Sequence, residues 1–135
     1  MKIYSEAYRG LEEYAYRSNK EIKRYFNWLF NRDPDGFFVA EDEEITGFIA
    51  CDSEWYSFEE GAGEIHELFV KPEYRRRRIG RNLLLKGIEY LKYKKRKIVG
   101  LWVGVKNYGA IEFYRKMGFE KGECWGKWLR MRLQL

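Results

Sequence analysis

Cysteine is scarce in this 135-residue chain. Cys51 and Cys124 are the only two, and they stand far apart. They form neither a metal-ligand spacing nor a disulfide framework, and the single histidine, His66, leaves a zinc site short of ligands. No metal is expected. Both thiols read as small core residues in a reducing, cytoplasmic compartment. Proline is as rare: Pro34 and Pro72 each separate two periodic segments. With no repeat, low-complexity tract or Pro/Gly/Ser-rich linker, the length points to one domain spanning 1–135. Apolar runs fall far short of the roughly 20 residues that cross a bilayer, and no basic start followed by an apolar stretch marks a signal peptide. The expectation is against a membrane-spanning or secreted protein. Gln134 is the one glutamine beside abundant Lys, Arg and Glu, a tilt associated with heat-adapted proteins.

What is present argues for a packed domain. Apolar residues make up 45% of the chain, with 5 Trp, 11 Tyr and 9 Phe, which excludes a disordered segment. A chain of this length buries roughly two thirds of its unfolded surface, enough for an independent core. The formal net charge of +5 favours an anionic partner, either nucleic acid or a phosphate-bearing small molecule.

Between residues 10 and 31, Leu11, Tyr14, Ile22, Phe26, Leu29 and Phe30 recur at helical spacing. Ser18-Asn19 is a capping signal that splits this stretch in two, and Asp33-Pro34-Asp35-Gly36 is a turn. Strands are expected at 36–40 and 45–51, joined as a hairpin by the acidic turn 41–44. A loop with aromatic and acidic residues covers 52–63, and a third strand, 64–70, stops at Lys71-Pro72. A helix at 80–95 carries the stripe Leu84, Ile88 and Leu91. A buried strand follows at 98–105, then a short helix at 110–117 ended by Gly118, then strands at 119–125 and 128–135. The last of these alternates apolar residues with Arg130 and Arg132 and is a candidate for pairing across a dimer. The central alternation of strand and helix predicts an α/β layer with at least one parallel pair in a mixed sheet.

The most informative stretch is Val70-Lys71-Pro72-Glu73-Tyr74-Arg75-Arg76-Arg77-Arg78-Ile79-Gly80-Arg81. A strand ends, a basic turn follows and a helix begins at a glycine. Helix starts offer N–H donors with no intrahelical partner and the positive end of the macrodipole. A pyrophosphate suits that place, Gly80 removes a Cβ from its approach, and the arginines add charge-assisted donors. Read from charge alone, the same run is a solvated basic loop or a nucleic-acid contact.

The stretch resembles motif A of the GNAT superfamily of acyl-CoA-dependent N-acyltransferases: a strand ending Val-x-Pro-Glu-Tyr, then Arg/Gln-x-x-Gly-x-Gly/Ala leading into a helix. Arg75 matches the opening position and Gly80 the final small residue, while Arg78 replaces the middle glycine. A negative φ is the conformation in which Arg78 would offer its amide. A second block, Asn107-Tyr108-Gly109-Ala110-Ile111-Glu112-Phe113-Tyr114-Arg115-Lys116-Met117-Gly118-Phe119, resembles motif B through Asn107, Ala110, Phe113, Tyr114, Gly118 and Phe119. The two motifs stand in the family's order and together span roughly half of the chain.

The resemblance implies a single GNAT-like α/β domain of α+β type. Its mixed central sheet would hold six to seven strands with a splayed parallel pair, flanked by about four helices. It implies N-acetylation of a primary amine by acetyl-CoA in a ternary complex. The main chain of Leu68, Phe69 and Val70 would hold the acyl end. The turn residues Arg75, Arg76, Arg77, Arg78, Ile79, Gly80 and Arg81 would hold the pyrophosphate through the amides of 76–81, and Asn107 would bond the pantetheine. Tyr114 is the implied general acid, since a phenol near its reference pKa of about 10 stays protonated at neutral pH. Cys51 and Cys124 lie outside both motifs, so a covalent enzyme intermediate is not expected.

The base is left between Glu64, Glu67 and a water. Alternation puts Glu64 and His66 on one strand face and Glu67 on the other, unless a bulge changes the parity. A subgroup that acetylates ribosomal-protein N-termini carries a glutamate where this chain has Trp102, so that subgroup's base is absent. Trp55, Tyr56 and Phe58 with Glu54, Glu59 and Glu60 suit an organic cation such as a lysine side chain, a protein N-terminus or a polyamine, or else form an exposed hairpin. Two other classes stay open: a nucleic-acid-binding module using 75–81 and 92–97, and a CoA-binding sensor without turnover. A monomer and a homodimer are both compatible with the sequence.

Overall fold

The computed structural model describes residues 14–16, 18–55, 59–75 and 77–135. Leu11, Tyr56, Phe58 and Arg76, all named above, lie outside the described residues. Helix α1 (Asn19–Arg32) starts where Ser18 is extended and its side chain accepts the Glu21 amide at 3.1 Å. Its Ile22 and Leu29 are buried, but Phe30 is 53% exposed. One residue on from Leu29 turns Phe30 about 100° off the sheet-facing stripe.

Strands β1 (Phe37–Asp42) and β2 (Glu44–Asp52) form the expected hairpin, with the turn tightened to Glu43 at φ 62°. Strand β3 (Ala62–Val70) leads through the basic turn to α2 (Ile79–Tyr93). Strand β4 (Ile98–Gly104), α3 (Tyr108–Lys116), β5 (Glu120–Trp125) and β6 (Trp128–Gln134) complete the chain. Gly118 adopts φ +101° just past α3, a left-handed exit that glycine makes without strain.

The six strands lie in the order β1-β2-β3-β4-β6-β5, and only β3 and β4 are parallel. Six strands and three α-helices are present among the described residues, close to the expected architecture. Strand β6 sits between β4 and β5, so its pairing capacity is used inside the chain rather than across a dimer. The edge belongs to β5, every residue of which is exposed, and Cys124 is therefore a surface thiol and not a core residue.

Two apolar clusters pin the layers. Against α2 and α3, the sheet buries Ile49, Cys51, Ile65, Val99, Leu101, Leu129 and Met131 with Leu84, Leu91 and Tyr114. On the opposite face, Ile22 and Leu29 of α1 cover Phe48, Ala50 and Phe69. Each fully buried aliphatic side chain contributes about 1.5–3 kcal/mol. Helix α2 approaches closely because position 87 is glycine: a Cβ there would lie 2.7 Å from the Cys51 sulfur. No described helix is long and apolar enough to cross a membrane.

Candidate active site

The parallel strands pair from Ala62–Ile98 to Ile65–Leu101 and then part. Beyond that point β3 stays on β2 as far as Val70, and β4 stays on β6 as far as Trp128. The two strands thus diverge while each keeps its outer partner, and Leu68, Phe69 and Val70 run along one arm of the opening. Ala50 pairs with Glu67 and Cys51 with Ile65, which makes His66 an extra residue, a β-bulge. The bulge corrects the parity expected from alternation. His66 packs on Trp28 of α1, and Glu67 accepts the Tyr25 hydroxyl of α1 at 2.5 Å. Ile65 and Leu68 face the other core. Glu64, His66 and Glu67 consequently share the α1 face.

At the far end of the opening, α2 begins at Arg78 with no side chain capping it. The Asn82 amide is bonded to the Arg78 carbonyl, so the amides of Ile79, Gly80 and Arg81 precede the helix's own ladder. Arg78 has φ 63°, in the left-handed region that glycine enters without strain, and not the negative φ set out above. That conformation costs a non-glycine side chain about 1–2 kcal/mol. A Cβ on Gly80 would meet Val70 and Phe113 at 3.5 and 3.8 Å, ordinary contacts. Packing within the chain does not demand glycine here. Arg75 donates to the Val70 carbonyl and Arg77 lies 5.1 Å from the Tyr74 ring centre. Among the described residues, no carboxylate pairs with Arg77, Arg78 or Arg81. Uncapped amides beside uncommitted guanidinium groups are a donor set that fits a diphosphate.

Tyr114 projects from α3 into the larger core, 8% exposed, in contact with Phe113 and Phe119. Burial first, then the nearby Glu67 charge, pushes its hydroxyl well above the usual tyrosine value. It is held protonated. Asn107 caps α3, its side-chain oxygen accepting the Ala110 amide at 3.3 Å.

The α1 face carries charge that the sequence reading did not assemble. Both oxygens of Glu64 accept from Arg130, at 2.7 and 2.8 Å, and both residues are buried. Glu59 bridges Arg130 to Arg132, which also binds Glu123 through two bonds. Burial raises the Glu64 carboxyl against the pull of Arg130, whose guanidinium stays cationic. The Arg130 guanidinium lies over position 100, where a Cβ would come within 2.1 Å of its Nη2. Opposite Glu64 on β2 stands Asp52, and two acids side by side in a sheet repel. Each is compensated by its own arginine. Asp52 accepts from Arg32 Nε at 2.7 Å, Arg32 Nη2 at 3.2 Å, the Glu54 amide at 3.0 Å and His66 Nε2 at 2.9 Å. Although burial alone would raise it, the bonds to His66 and Arg32 bring its carboxyl down to about 2.

The aromatic loop is tied into the same assembly. Trp55 holds the Arg32 guanidinium 5.4 Å from its ring centre and touches His66, and Glu59 is taken up by two arginines. An in-chain cation thus occupies the ring expected to receive a substrate's. Asp52, Arg32 and Arg130 escaped the sequence reading. The signal for Arg130 was available: between Leu129 and Met131, period-two alternation sends it to the face opposite the apolar core. Asp52 closes an apolar strand without any such mark. Among the described residues, no cluster of three or more metal-binding side chains occurs.

Residues 1–119 match the sequence model of the Acetyltransferase (GNAT) family. An uncharacterized N-acetyltransferase of Methanocaldococcus jannaschii is 51% identical over 134 residues; the match covers 97% of this chain and 59% of that protein's length. A protein of Pyrococcus horikoshii OT3 has a similar crystal structure, with a TM-score of 0.87 and 40% identity over 98% of this chain and 86% of the other. The paia N-acetyltransferase of Thermoplasma acidophilum, solved in complex with coenzyme A, has the same fold at a TM-score of 0.76 and 22% identity, over 99% and 89% of the two chains.

Proposed function

The chain belongs to the Acetyltransferase (GNAT) family, and we propose that it transfers the acetyl group of acetyl-CoA to a primary amine by direct attack, within one domain spanning 1–135. The observation that carries this reading is the parting of β3 from β4 after four paired residues, with Tyr114 beneath it and an uncapped helix start at its end. Acetyl-CoA supplies an activated thioester. The chain's own groups do the rest. The amides of Ile79, Gly80 and Arg81, with Arg75, Arg77 and Arg78 around them, hold the diphosphate. The diverging main chain at Leu68, Phe69 and Val70 aligns the acyl arm and polarises its carbonyl. Asn107 steadies the pantetheine through the amide nitrogen of its side chain, since its oxygen caps α3.

Tyr114 gives its proton to the departing sulfur, which burial favours by keeping the phenol neutral. Glu67, on the α1 face, attracts the cationic amine. Glu64 has both oxygens on Arg130 and serves as a wall of the cleft. The acceptor approaches past Tyr25, Trp28 and Trp55 and is a lysine side chain, a protein N-terminus or a polyamine-like amine. The two basic clusters do not merge into a nucleic-acid stripe: they sit at opposite ends of the 15-residue α2, roughly 22 Å apart at 1.5 Å per residue.

Heating the protein with and without acetyl-CoA tests the first half, because a ligand of the native state raises Tm. Mass spectrometry of amine mixtures incubated with both tests the second. Tyr114→Phe should lower kcat by about 10²–10⁴ with coenzyme binding unchanged. An unmoved Tm with excess acetyl-CoA would overturn the reading.

A further inference from the structure

Three groups outside the phosphate end converge on one imidazole. His66 is the residue at which β3 bulges, and it follows the last β3–β4 pair, Ile65–Leu101. It stands at the vertex of the opening. Its ring lies between two tryptophans, 4.9 Å from the Trp28 ring centre and 4.8 Å from that of Trp55. Both tryptophans are partly exposed, and the His66 side chain keeps 10% of its surface open. The rim is reachable from solvent.

Behind the ring, Asp52 is fully buried and saturated: each of its oxygens takes two hydrogen bonds. It cannot swing. An ionised carboxylate only accepts, so His66 Nε2 carries a hydrogen, and in the neutral ring Nδ1 is then the lone-pair nitrogen. A fixed acid setting the tautomer of an imidazole is the arrangement that makes a histidine a directional base. The charged groups around the ring are Asp52 on β2, Arg32 on α1 acting through Asp52, Glu64 and Glu67 on β3, and Glu54 just past β2.

Resting on the acetyl-transfer reading, we propose that His66 is the base that takes the proton from the acceptor amine, with Asp52 as its positioning residue. The amine nitrogen bonds to the thioester carbonyl carbon while His66 Nδ1 accepts one N–H proton. The C–S bond then breaks, its electron pair leaves on sulfur, and Tyr114 protonates the thiolate. Solvent returns a proton to Tyr114 and removes one from the imidazolium. Net, one amine proton ends on the thiol, and no oxidant or metal is consumed. Glu67, engaged with the Tyr25 hydroxyl, attracts the ammonium without taking its proton.

Because His66 is the only histidine, the imidazole ¹⁵N spectrum of the whole protein reports on it alone. The expected neutral form carries hydrogen on Nε2, and Asp52→Asn should erode that tautomer preference. In turnover assays with acetyl-CoA and three acceptors (spermidine, a lysine peptide and a peptide with a free N-terminus), His66→Gln should lower kcat about 10²–10⁴-fold. It should also abolish the ascending limb of the pH profile of kcat/KM. Glu67→Gln should keep that limb while raising KM. His66→Ala should regain activity when imidazole is added, which separates lost chemistry from a lost fold. An Nδ1–H tautomer, or an intact limb in His66→Gln, would overturn this inference alone. Coenzyme binding without acetylation of any of the three would overturn the transfer reading along with it.

Discussion

The two ends of the cleft use arginine to opposite effect. At the α2 start, Arg77, Arg78 and Arg81 meet no carboxylate among the described residues, and they flank backbone amides that also lack a cap. On the α1 face, Arg32, Arg130 and Arg132 each hold one or two acids in short, mostly two-pronged bonds. The first set is charge left without an acid by the described fold. The second is charge spent inside, turning a row of acids on neighbouring strands into a rigid wall. Residue type alone does not separate them. What separates them is whether the fold brings a carboxylate within reach.

The comparison can be broken most directly at Arg130. Arg130→Met leaves the buried Glu64 without its cation and Glu59 with Arg132 alone, and should cost about 3–5 kcal/mol in chemical denaturation. Replacing Glu64 by Gln in the same chain should recover part of the loss. Acid should weaken the wall next. Asp52 titrates at about 2 in the folded chain, below the usual aspartate value of about 3.9. Its contribution is therefore fully present above pH 4 and disappears as pH falls toward 2, a loss of about 2 kcal/mol. In Asp52→Asn that acid-dependent component should vanish from the stability profile. At the other end, Arg78→Gly should relieve the left-handed strain and stabilise the fold by about 1 kcal/mol, with the amides kept in place. Substituting Arg77, Arg78 and Arg81 together with Gln should leave Tm nearly unchanged, since no native ion pair is lost. It should flatten the salt dependence of acetyl-CoA binding in calorimetry. A fall in stability comparable to that of Arg130→Met would erase the contrast.

Much of the fold is legible in local chemistry. Ser18 before a periodic run marks the start of α1, Gly118 marks the end of α3, and the strand-turn-helix at 70–81 is followed by the start of α2. The candidate-site face was less legible, because its geometry turns on one inserted residue. Alternation assigns Glu67 to the far side, and the bulge at His66 returns it to the near one. A bulge leaves no compositional trace, whereas it moves every later side chain by half a period. The ion pairs were hidden for another reason. Arg130 and Glu64 are 66 positions apart, and only the ordering β3-β4-β6 brings them together. Arg78 shows a third limit: the sequence reveals a departure from glycine, but only the backbone reveals that the arginine takes a left-handed φ.

Gly100 contributes no functional group, yet it governs how firmly the narrow end of the opening is fastened. The Arg130 guanidinium crosses β4 through the volume a methyl group would claim and clasps Glu64 two strands away. An added methyl would have to dislodge a cation already gripped by two acids, and the halves of the sheet would lose their charged buckle just where their shared ladder is shortest. The angle at which the strands separate is held by the smallest side chain in the neighbourhood.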